Sequence, residues 1–147
     1  TMKAVYGVLC DEPRVHAAAA IVQEWREQLV PLVDHCPTLL EVDATNLGER
    51  WAIGLDYPEI RVHLQRRDGV AVIFAYGRPV DSQFSRVPVS TKAMVLSKIL
   101  DEHDQLGELV AGDLRFARRW IDYLQPRKPG VQDPRGPWTA PLRGSGR

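Results

Sequence analysis

A chain of 147 residues with 44% hydrophobic and 26% charged side chains is long enough to bury one core and too apolar to be disordered throughout. Its 19 basic and 19 acidic residues cancel, which excludes attraction of nucleic acid or an anionic membrane by the surface as a whole and leaves only local patches. Two cysteines, Cys10 and Cys36, are too few for a disulfide framework or a metal site of their own.

No apolar run reaches the roughly 18 residues needed to cross a bilayer, and the N-terminus lacks the basic start, apolar middle and small-residue cleavage site of a signal peptide. The expectation is a cytoplasmic protein with no membrane partner.

Residues 4–9 fit a short strand or part of a helix equally well. From Asp11 to about His35, Ala18, Ile21, Val22, Trp25, Leu29, Leu32 and Val33 recur at helical spacing, which predicts a long amphipathic helix. Asp11 fits the N-cap, Pro13 the first turn, and Pro31 should kink or end the helix.

Residues 38–45 then suit a strand. Trp51, Ile53, Leu55 and Tyr57 alternate with polar or small residues, as do Ile60, Val62 and Leu64, and a third run covers Val70 to Tyr76. The turn at Arg67-Asp68-Gly69 sets the register. A three-residue loop with Gly69 in the left-handed region pairs Leu64 with Val72, Val62 with Phe74 and Ile60 with Tyr76, so that apolar side chains share one face. The same logic around Pro58-Glu59 pairs Leu55 with Val62 and Ile53 with Leu64.

Further along, 85–89 reads as an edge strand because of Pro88. Ser90 is placed as the cap of a helix from about Thr91 to Asp104, with Leu96, Ile99 and Leu100 inward, and a last helix runs from about Leu106 to Leu124. The fold class expected is therefore α+β: an antiparallel meander of about four to five strands, covered on one face by a long N-terminal helix and two C-terminal helices.

Residues 1–125 form the single domain. From Pro126 onward, five prolines, four glycines and five basic residues against Asp133 predict an extended, flexible tail. The neutral total thus conceals a tail of about +4 and a body of about −4, by that count of charges.

The chemistry-bearing residues form no nucleophile elbow, phosphate loop, dinucleotide fingerprint or zinc knuckle, and no catalytic residue, metal or cofactor is expected. On the chosen register the polar sheet face carries Arg50, Asp56, Arg61, His63 and Gln65, with Asp56 across from Arg61 and small residues around His63. That face fits a partner surface, a solvated sheet face, or a shallow ligand site using His63.

Arg115, Arg118 and Arg119 form a basic edge on the expected last helix, and Trp138 is an isolated aromatic in the tail, the pattern of a second partner-binding surface. His103 among acids and the His35-Cys36 pair lack the spacing of a metal or nucleophile site.

The function expected is a non-enzymatic protein-interaction domain, an adaptor, chaperone-like partner or assembly subunit, bound to another protein or to its own copy as a homodimer. Two alternatives follow from other features. One is a small-molecule binder or minor enzyme at His63; the other is nucleic-acid binding through the basic helix and tail.

Overall fold

The computed structural model describes residues 12–48 and 58–115, together with the backbone of Gln125–Pro126. Helix α1 spans Glu12–Glu24, where Ala18 and Ile21 are buried at helical spacing. Pro31 then acts as its chemistry requires, since it has no N–H to give and its ring crowds the preceding turn. The helix widens to a π turn at Trp25–Leu29, closed by Val30 N–H on the Trp25 carbonyl, and tightens to 3-10 at Val30–Leu32. The change of pitch keeps Trp25, Leu29 and Val33 in the core but leaves Leu32 57% exposed, off the stripe expected for it.

The strands are β1 (Leu39–Asp43), β2 (Ile60–Gln65), β3 (Ala71–Gly77), β4 (Leu109–Asp113) and the two-residue β5 (Gln125–Pro126), in that spatial order within one sheet. The β2–β3 hairpin has the expected three-residue loop. Gly69 lies at φ +86°, its N–H bonds the Arg66 carbonyl at 2.9 Å, and Val62 pairs with Phe74 and Leu64 with Val72. At its far end a bulge pairs Ile60 with Gly77 instead of Tyr76. Ile60, Val62, Leu64, Val72, Phe74 and Tyr76 are all fully buried on the expected face.

Three expectations are corrected. The strand beside β2 is β1, with Val42 paired to Val62, so the edge assigned to the 51–57 segment is occupied by residues earlier in the chain. Residues 49–57 themselves lie outside the described residues. The segment before helix α2 (Val89–Glu102) is not a strand. Pro88 is the N-cap in extended conformation, and Ser90 lies inside the first turn.

The third correction decides the topology. Residues 109–113, expected in a last helix, are β4, parallel to β3 through Ile73–Ala111, Phe74–Gly112 and Ala75–Asp113. The sheet is therefore mixed, and β3–α2–β4 is a parallel crossover unit, the connection that parallel neighbours require. Finally, the described residues hold two α-helices; the rest of the expected third, 116–124, lies outside them, as do residues 127–147 of the tail.

Candidate functional site

Three places gather polar side chains. The first is the sheet face opposite the core. Arg61 there meets Asp43 of β1 in an ion pair whose side chains are 2% and 0% exposed. Asp43 also accepts a 2.8 Å bond from the Thr45 N–H. His63 faces Ile73 on one side and Glu41 on the other, with its Nδ1 3.7 Å from the Glu41 carboxylate.

Burial lowers the His63 pKa, and the Arg61 charge adds to this, against the opposing pull of Glu41 and Asp43. The imidazole is consequently neutral at pH 7. Of the three expected residues described on this face, Arg61 and His63 are buried and Gln65 alone is exposed. Arg50 and Asp56 lie outside the described residues.

The second place is the junction of α1, β3 and the first turn of α2. Arg86 grips Glu24 with two 2.9 Å bonds, and the Tyr76 hydroxyl donates to the same carboxylate at 2.6 Å. Burial by itself would raise the Glu24 pKa; the hydrogen bonds from Arg86 and Tyr76 outweigh it and hold the carboxyl below its ordinary value.

Lys92, with no exposed surface, sets its ammonium 3.7 Å from the centre of the Tyr76 ring, and its Nζ has no hydrogen-bond acceptor among the described residues. Burial, reinforced by Arg86 and Arg115, pushes the Lys92 pKa down to about 7, against the pull of Glu24. Close by, Arg115 is held by Asp113 through bonds of 2.9 and 2.8 Å. Its charge is thus already matched, and Arg118, Arg119 and Trp138 lie outside the described residues.

The third place is concave. A cleft of about 820 Å³ opens between the connection following the first helix (Asp34–Thr38), the β2–β3 turn with Arg66 and Arg67, and the end of α2 with Leu100, Asp101, Asp104 and Gln105. Its volume suits a ligand or a few side chains of a partner. Two walls are held in the left-handed region by non-glycine residues, His35 at φ 56° and Gln105 at φ 50°, a conformation costing about 1–2 kcal/mol each. The Gln105 carbonyl accepts the Arg67 N–H at 3.1 Å, which ties the turn to the wall.

No protein-family model, curated protein or solved structure matches this chain. The chemistry of the cleft therefore has to be read from its own residues.

Its basic side chains are engaged. Arg66 is bound to both oxygens of Asp68 at 2.7 and 2.8 Å and to the Leu109 carbonyl at 2.7 Å, while Arg67 meets Asp104 at 3.5 Å. Asp34 and Asp101 have no ion-pair partner among the described residues. The carbonyl end of α2 adds partial negative charge on the same side. Cys36 lines the cleft, but burial raises its thiol to about 11, so it stays protonated and is a poor nucleophile near neutrality.

Of the expected site residues that are described, Gln65 alone lines this cleft. The signals present were His35-Cys36 and the Asp101–Asp104 acids, each weak alone, and nothing in the sequence said that they face each other across a turn.

Proposed function

We propose that this chain is a non-enzymatic protein-interaction domain that receives a basic segment of a partner protein in the cleft. The observation that carries the reading is the cleft's accessible charge: its arginines are committed to Asp68 and Asp104, whereas the Asp34 and Asp101 carboxylates are free of ion pairs among the described residues. An Arg or Lys side chain can bridge those carboxylates and the end carbonyls of α2 without displacing an existing ion pair. Among the described residues, Cys36 is held as a thiol and Lys92 lies beneath the surface, which favours binding over catalysis by either.

Affinity for a short fluorescein-labelled Arg-Gly peptide, followed by anisotropy, tests this. The expected result is binding that weakens about tenfold in Asp34→Asn/Asp101→Asn and falls with added salt. Equal affinity of the variant and the native chain would sink the reading. The neutral His63 lines no part of the cleft, so a ligand site centred on it gains no support. Arg115, matched to Asp113, likewise adds nothing to a nucleic-acid surface.

A further inference from the structure

Lys92 stands in the first turn of α2, where unpaired backbone N–H groups and the helix dipole already disfavour a cation. Pro88 caps that turn without a side-chain hydrogen bond, and the Thr91 and Lys92 N–H groups share its carbonyl at 3.1 and 3.2 Å. The side chain then runs inward. Its Nζ lies 3.7 Å from the centre of the Tyr76 ring and 3.8 Å from where a Cβ at Gly77 would stand, with no acceptor among the described residues.

The groups facing it from other elements are Glu24 of α1, Tyr76 of β3, Arg86 of the connection before α2, and Arg115 beyond β4, itself paired with Asp113. Glu24 is held below its ordinary range, burial and Glu24 raise Tyr76, and guanidinium groups keep their charge. A proton on Lys92 therefore sets a third cation beside Arg86 and Arg115, in a place that offers the ammonium no acceptor.

Relief is close at hand. Residues 78–88 form neither helix nor strand, follow Gly77 at φ +128°, and carry Val80 and Phe84 each 40% exposed. Arg86 fastens this connection to α1 through Glu24. Its release, together with the first turn of α2, takes Lys92 to water and leaves the β2–β3 pairing intact.

We infer that residues 78–92 form a pH-sensitive latch, closed over a neutral Lys92 and opened when that amine takes up a proton. The latch is at the start of α2 and the cleft at its end, so this inference stands apart from the partner reading.

Amide hydrogen exchange of the full chain between pH 6 and 9, corrected for the intrinsic rate at each pH, tests it. The open state binds the proton with the ordinary lysine affinity, whereas the closed state binds it only near pH 7. Protection of the Thr91 and Lys92 amides is expected to fall about tenfold for each unit of pH lowered toward 7, and to level off below.

Low urea should leave that exchange unchanged while speeding exchange in the β2–β3 hairpin, the mark of local rather than global opening. In Lys92→Met the two amides should stay protected, with no dependence on pH. Exchange of these amides only at the hairpin's rate, or the same pH dependence in Lys92→Met, would overturn the latch.

Discussion

Lys92→Met is expected to stabilise the protein by about 3–5 kcal/mol at pH 7 and below, measured by urea unfolding. The ammonium is buried with no hydrogen-bond acceptor among the described residues, and its pKa falls from 10.5 in the free side chain to about 7 in the fold. Unfolding lets Lys92 take up a proton wherever the pH lies between those values, so the unfolded state binds more protons there and stability rises with pH.

The destabilisation is therefore absent above the unfolded pKa, grows by up to about 1.4 kcal/mol for each unit of falling pH, and is constant below about 7. Methionine fills a similar volume without a charge to desolvate and keeps contact with the Tyr76 ring. The gain should accordingly shrink toward zero as the pH is raised past 10. A loss of stability in the variant, or a gain that ignores pH, contradicts this account of the junction.

The opposite change at the same junction has a comparable cost. Glu24→Gln removes the carboxylate shared by Arg86 and Tyr76 and leaves the buried Lys92 and the partly buried Arg86 without their counter-charge, for an expected loss of about 3–5 kcal/mol. Because the folded Glu24 pKa is lowered, its contribution is fully present above the ordinary carboxylate range and is lost as the pH falls through the folded pKa.

The penalty at Lys92 also deepens once Glu24 is neutral. The double variant Glu24→Gln/Lys92→Met should consequently be more stable than the two single effects summed, by about 1 kcal/mol or more in a double-mutant cycle. Additive effects would mean that Glu24 and Lys92 do not sense each other.

The hairpin was legible because alternation and turn chemistry agree. Only a three-residue loop ending at Gly69 puts Leu64, Val62, Val72 and Phe74 on one side, and a slip of one residue would have set polar side chains opposite apolar ones on the core face. The first helix was legible for the same kind of reason, and Pro31 marked its end.

Strand β4 was not. A parallel strand covered on both faces reads as an unbroken apolar run, so Leu109-Val110-Ala111 carries no period-two signal, and Leu114 falls at helical spacing by accident. Gly107 and Gly112 were the cues that a helix does not run through this stretch.

The pairing of Arg61 with Asp43 escaped the reading for another reason. Alternation fixes which face a residue occupies but not which strand lies beside it, so nothing in the sequence said that β1 would bring Asp43 against Arg61. The cleft was hidden more thoroughly. Its walls come from three separate segments, and Asp34, Arg66 and Asp101 become neighbours only after the β3–α2–β4 crossover returns the end of α2 to the β2–β3 turn.

The most direct test of the cleft as a partner site is a residue-resolved one: titrating the isotope-labelled full chain with the Arg-Gly peptide and following amide shifts by NMR. The account predicts perturbations concentrated at Asp34–Thr38, at Arg66–Gly69 and at Leu100–Gln105, with Arg61 and His63 unmoved. Shifts centred on the β1–β2 sheet face, with those three segments silent, would contradict it.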